Sequence, residues 1–160
     1  MRSTSSTTTN DDDGVKLVRL LQRISSRKSL RNQTEQQQTG RLGERAAEQF
    51  LRQKKGFRIL VRNWRSGKDE IDLVCLDRGI LVFVEVKARS VDALVPGYYA
   101  VDKRKKEALR RVCGHYLKQL RDKPRTFRFD VVEVAITVGK NQVLHFENVP
   151  LFPKGYHWSK

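Results

Sequence analysis

Asp72, Glu85 and Lys87 lie in a stretch, residues 69–89 (DEIDLVCLDRGILVFVEVKAR), that is otherwise dominated by Ile, Leu, Val and Phe. It reads as two strands, 70–76 and 80–88, around a short loop at Arg78-Gly79. Side chains alternate across a strand, so Glu85 and Lys87 share a face with Leu81 and Phe83, and Val82, Val84 and Val86 take the other. In the first strand Ile71, Leu73 and Cys75 are expected on one face, and Asp72 and Val74 on the other. Register decides whether Asp72 joins Glu85. A two-residue turn at Arg78-Gly79 pairs Asp77 with Ile80, Asp72 with Glu85 and Glu70 with Lys87. A three-residue loop would send Asp72 to the back of the sheet unless a bulge restored it.

In the two-residue register the Asp72 and Glu85 Cβ atoms lie about 5 Å apart. Carboxylates that close repel each other and resist leaving water. A divalent cation relieves both problems. Magnesium takes one or two carboxylates and keeps several waters, which suits phosphate substrates. Lys87 beside it could position or deprotonate an attacking water, or neutralise charge in the transition state. A Glu–Lys–Asp salt-bridge cluster on a solvated face fits the same spacing. The apolar neighbours favour the site.

The elements that must hold these residues can be read on either side. Leu42, Ala46, Ala47, Phe50 and Leu51 have helical spacing over 41–54, and Gly56 follows as a stop. Residues 57–64 read as a strand and 66–69 as a turn. Residues 90–100, with Pro96-Gly97, read as loop. Asp102 can cap a helix running to about 121, with Pro124 beyond it. Strands at 127–138 and 143–146 complete the order α-β-β-β-α-β-β, an α/β fold with a central mixed sheet flanked by helices. The domain is expected over 40–153, between a disordered basic and polar tail (1–39) and a short C-terminal tail (154–160). Residues 1–14 are Ser/Thr-rich and of low complexity, and are expected to be disordered. Residues 15–30 fit either a short amphipathic helix or a linker.

The net charge of the 160-residue chain is +15, from 33 basic and 18 acidic residues. Residues 1–39 hold 7 basic and 4 acidic residues, so most of the excess belongs to the domain. Such a balance points to a polyanion, nucleic acid above all, although charge also serves solubility. Cys75 and Cys113 form no CxxC pair and the three histidines are scattered, which argues against zinc. Thiols inside apolar runs suit a reducing compartment, the cytoplasm. No apolar run is long enough to span a membrane.

The segments Glu70-Ile71-Asp72-Leu73-Val74 and Phe83-Val84-Glu85-Val86-Lys87 resemble the D…(D/E)xK signature of restriction-endonuclease-like nucleases. More narrowly, the run over about 40–150 resembles the YraN-like bacterial family, related to archaeal Holliday-junction resolvases. The resemblance extends to Gly40–Ala47 (GRLGERAA), Arg62-Asn63-Trp64 and Arg128–Val132. It implies a restriction-endonuclease-like core, Asp72 and Glu85 as ligands to Mg2+ or Mn2+, and Lys87 as the catalytic lysine. It also places Glu44 as a helical glutamate completing the site and Lys105 near the phosphate, with Asp130 a structural or supporting carboxylate. The implied activity is endonucleolytic cleavage of DNA, branched DNA included, and junction cleavage would call for a homodimer. A non-catalytic nucleic-acid-binding module on the same fold is the alternative. The loop Leu94-Val95-Pro96-Gly97-Tyr98-Tyr99 departs from the family's pattern.

The helix from Asp102 opposes an apolar stripe (Leu109, Val112, Cys113, Tyr116, Leu117, Leu120) to Lys103, Arg104, Lys106, Arg110, Arg111, Lys118 and Arg121. Seven cations on one helix form a candidate phosphate-tracking face, to which Arg62 and Arg65 could add. Trp64 could stack on a base, although a core position suits it better. No base-reading motif is present, so backbone or shape recognition is expected.

Overall fold

The computed structural model describes residues 34–90 and 102–152. The tail over 1–33, the segment 91–101 and the C-terminal residues 153–160 lie outside them, as do the expectations made for those segments. The chain divides into two units, Met1–Gln38 and Thr39–Lys160. Of the first, residues 34–38 are helical.

In the second unit the order is helix α1 (helical backbone through residue 53), β1 (Arg58–Ser66), β2 (Asp69–Asp77), β3 (Ile80–Ser90), α2 (Lys103–Gln119), β4 (Phe127–Ile136) and β5 (Gln142–Phe146). The strands form one sheet in the order β1-β2-β3-β4-β5, in which only the β3–β4 pair is parallel. A parallel pair needs a long crossover, and α2 lies within it. The mixed α/β fold with a helix-flanked sheet thus agrees with the order of elements read from the sequence.

Each sheet face carries its own core. On one, Leu109, Val112, Cys113, Tyr116 and Leu117 of α2 pack with Ile71, Val74, Leu81, Phe83, Phe129 and Val131. On the other, Ala47 and Leu51 of α1 pack with Leu73, Cys75, Val82, Val84, Val132 and Val134. Asp102 caps α2, its side chain accepting from Lys105 N at 2.7 Å. Trp64 is partly buried and packs against the α2-side core, edge-on to Tyr116 at 5.2 Å between ring centroids.

Strict alternation along β2 fails in one place. Ile71 packs on the α2 side, whereas Leu73 and Cys75 pack on the α1 side. The cause lies in the partner strand. Arg62 pairs with Leu73 and Trp64 with Ile71, and Asn63 between them has φ 48°, a left-handed backbone. That kink lets Arg62 reach Glu48 of α1 while Trp64 meets Tyr116 of α2.

Gly43 sets how closely α1 approaches the sheet. A Cβ built there would overlap the Ala88 Cβ and stand 3.3 Å from the Ala88 Cα. At an open helix position Gly→Ala gains about 1 kcal/mol of helix propensity. Here the overlap decides the sign. Gly43→Ala should destabilise the domain by about 1–3 kcal/mol, read as a lower urea midpoint; a rise in midpoint would mean that α1 rides further from β3 than described.

Candidate functional site

The Arg78-Gly79 turn has two residues, both with positive φ, and sets Asp77 opposite Ile80. This is the register in which Asp72 comes to the side of Glu85. The ladder, however, runs only as far as Leu73 opposite Val84. Beyond that pair β2 continues against β1 down to Asp69, and β3 continues against β4 up to Ser90. The two strands part at Asp72. Its Oδ2 accepts from Val86 N at 2.6 Å, so a side chain takes up the donor left by the ending ladder. Glu70 does not meet Lys87, as strict register would have it; it pairs with Arg65 at 2.8 Å.

Glu85 is buried on the α2 side of the central strand, its side chain 4% exposed. Lys87 Nζ and Lys105 Nζ both approach its Oε1, at 2.8 and 2.9 Å. Its Oε2 is buried with no hydrogen-bond partner among the described residues. Lys87 arrives by strand periodicity and Lys105 from the first turn of α2. That turn carries four cations and no acid. Basic residues are disfavoured at the positive end of a helix, so the arrangement is locally costly and is offset for Lys105 by Glu85. Burial works to lower the Lys105 ammonium, but the charge and hydrogen bond of Glu85 outweigh it and hold it above the usual lysine range.

Burial and the negative charge of Glu85 push the Asp72 carboxyl up to about 7, against the pull of the Val86 N–H and Lys105; Glu44 adds a smaller push. Asp72 therefore lacks a compensating charge of its own. A carboxyl half-protonated near neutrality beside a buried carboxylate with an orphaned oxygen suits a divalent cation that keeps several waters. Among the described residues no group of three or more His, Cys, Asp or Glu is placed to hold a metal. Glu44 Oε2 accepts from Asn63 Nδ2 at 3.4 Å, and Glu44 acts on Asp72 through its charge.

The residues expected on a nucleic-acid face are mostly engaged within the protein. Arg62 holds Glu48 with two hydrogen bonds, Arg65 holds Glu70, and Arg111 holds Asp69. Arg110 Nε donates to the Leu151 carbonyl. Lys103 is exposed at the start of α2. The basic helix is thus a less open phosphate surface than its charge suggests, because its neighbours carry acids that composition alone does not place.

Asp130 belongs to a different cluster. It is fully buried on the α1 side and meets Arg128, His145 Nε2 and the Asn148 N–H. Those partners outweigh its burial and hold its carboxyl below the usual range. Arg128 also reaches Asp77 at 3.0 Å and lies over the Phe57 ring. It is a structural network tying β2, β4 and β5. Two charged residues escaped the sequence reading: Arg89 of β3 and the buried Glu133 of β4, joined at 2.9 Å. A glutamate between Val132 and Val134, in an otherwise apolar stretch of β4, was the available signal.

Fold and site together define a mixed α/β protein with a buried carboxylate–lysine cluster where two central strands part. The chain belongs to the uncharacterised protein family UPF0102, whose model matches residues 43–134. It is 40% identical over 114 residues to a UPF0102 protein of Koribacter versatilis, covering 70% of this chain and 78% of that one. It is 39% identical over 109 residues to one from Alkaliphilus metalliredigens (68% and 93%) and 45% identical over 95 residues to one from Symbiobacterium thermophilum (59% and 80%). The matched span contains Glu44, Asp72, Glu85, Lys87 and Lys105.

The Asp72 shift has a stability consequence. A carboxyl that ionises near 3.8 when unfolded and near 7 when folded binds its proton more tightly in the fold. Its contribution is neutral below about pH 4, turns against folding as pH rises to 7, and stays unfavourable above that. In chelator, Asp72→Asn should gain on the unsubstituted protein between pH 5 and 8 by roughly 2–3 kcal/mol. Urea unfolding at the two pH values measures it, and a difference that does not change with pH would refute the shift.

Proposed function

We propose that this protein is a Mg2+- or Mn2+-dependent endonuclease-like phosphodiesterase on a restriction-endonuclease-like core, related to archaeal Holliday-junction resolvases. DNA is the substrate, branched DNA included. The carrying observation is the buried, unpartnered Oε2 of Glu85 beside an Asp72 that lacks a counter-charge. Asp72 and Glu85 would hold the cation, and Glu44 would bear on the site through its charge. The bound cation would supply Lewis acidity at a phosphate oxygen and lower the pKa of a bound water.

The chain's own residues supply the rest. Asp72, whose carboxyl is pushed up to about 7, would serve as a ligand in its ionised form, its proton passing to solvent. Lys87 and Lys105, both ammoniums beside Glu85, stand ready to offset charge growing on the phosphate oxygens as the P–O bond breaks. Lys87 is in this respect a charge stabiliser, since an ammonium ion-paired to Glu85 is not free to take a proton. Exposed cations such as Lys103, with Arg62, Arg65, Arg110 and Arg111 after exchange of partners, would follow the backbone. A four-way junction would require two copies of the chain. The buried thiols of Cys75 and Cys113, the first pushed up to about 12 by burial, fit the reducing cytoplasm. No helix among the described residues is long and apolar enough to cross a membrane.

A non-catalytic nucleic-acid-binding module is the second reading. It is favoured by the lack of a three-donor metal cluster among the described residues and by two ammoniums already held at Glu85. Cleavage of linear, single-stranded, flap and four-way DNA with Mn2+ separates the two. Glu85→Ala and Lys87→Ala should each lose on the order of 10²-fold or more of the rate. Equal rates in all three proteins would assign the activity to a contaminant and leave the binding module.

A further inference from the structure

Glu133 carries a second buried charge on the same sheet face as Glu85. Its side chain is 3% exposed; one oxygen accepts from Arg89 Nη2 at 2.9 Å, and the other, Oε1, is buried without a hydrogen-bond partner among the described residues. A half-satisfied buried carboxylate is costly, so its spare oxygen calls for an explanation. The register supplies one. In the parallel β3–β4 ladder Lys87 lies directly beside Glu133, and Glu85 beside Val131. Adjacent strands are about 4.8 Å apart and paired residues face the same way. Lys87 thus stands between two buried carboxylates, Glu85 two residues before it and Glu133 across the ladder, and its Nζ is now on Glu85.

We infer that Glu133 is the alternative seat of the Lys87 ammonium, taken up when Glu85 is given over to a divalent cation. The inference rests on the metal-dependent reading above. A cation on Glu85 Oε2 would set like charge close to the two ammoniums on Oε1, and transfer of Lys87 relieves it while Lys105 stays. Moved to Glu133 Oε1, Lys87 keeps its charge compensated and remains at the site. Glu133 is then a positioning residue, acting through Lys87. The surroundings favour an ammonium over a second metal at Glu133, because Arg89 already bonds it and Lys87 is its neighbour.

Calorimetric titration of the full chain with Mn2+ at neutral pH tests this, using the unsubstituted protein, Glu133→Gln, Lys87→Met and the double variant. Glu133→Gln should weaken Mn2+ binding about tenfold, because the displaced ammonium loses its charged partner. In the Lys87→Met background the same substitution should change the affinity less than twofold. Equal weakening in both backgrounds would make Glu133 a ligand or a prop of the fold, and no weakening in either would remove its role; both overturn the inference while leaving the metal site intact. Absence of Mn2+ binding in all four proteins would instead overturn the metal-dependent reading, and this inference with it. If Glu133→Gln does not fold by circular dichroism, Glu133→Asp takes its place, since the shorter side chain keeps the charge but withdraws it from Lys87.

Discussion

The burial of the Glu85 carboxylate in the central strand is the constraint on which the rest of the site depends. An ionised carboxylate in an apolar sheet face is costly unless charge and hydrogen bonds are brought to it. Two ammoniums arrive from different elements, Lys87 along the same strand and Lys105 from the first turn of α2. The start of α2 is thereby fixed against β3, at the expense of placing cations at the wrong end of a helix. A sheet built for stability alone would carry an apolar residue at position 85, like Phe83 before it. Retaining the charge there, with one oxygen unpartnered, is what sets this region apart from the Asp77–Arg128–Asp130–His145 network, in which Asp77 and Asp130 are matched by basic partners.

The parting of β2 and β3 follows from the same constraint. Continued pairing would set the Asp72 carboxylate directly against the buried Glu85 carboxylate. The strands instead separate after Leu73, and Asp72 folds back to accept from Val86 N. The left-handed Asn63 in β1 turns the neighbouring strand so that Ile71 can pack beneath α2. Close packing of Gly43 on Ala88 holds α1 against β3, and the charge of Glu44 on that helix acts on Asp72.

Local signals made much of this legible in the sequence. The strand alternation around Glu85 and Lys87, the Arg78-Gly79 turn, the Asp102 cap and the Gly56 stop each depend on a few neighbouring residues, and all are present. What was not legible depends on non-local facts. Where a ladder ends is set by the competing partners β1 and β4, so nothing within 69–89 announced that pairing stops at Leu73. Ile71 was assigned the wrong face because the kink lies in another strand, at Asn63. Lys105 was placed near the site by family resemblance, not by its spacing, because a helix–strand contact has no periodicity of its own. Glu133 lies forty-six positions after Lys87 in sequence and beside it in the sheet. Only the parallel register brings them together.

The same distinction bears on how the +15 charge should be understood. Counting cations along α2 treats them as a surface, but Arg111 is turned to Asp69 and Arg110 to a backbone carbonyl, while Arg62 and Arg65 of β1 hold acids of their own. Such pairing does not disable a polyanion site. Exposed ion pairs contribute about 0–1 kcal/mol each and weaken with salt, whereas a nucleic-acid backbone offers many phosphates and releases counterions as it is neutralised. Arg62, Arg65 and Arg111 are each largely exposed, so exchanging a carboxylate for a phosphate costs them little. Buried Glu85 differs in kind: its ammoniums cannot be given up to solvent cheaply, and any group displacing them would have to supply positive charge in return.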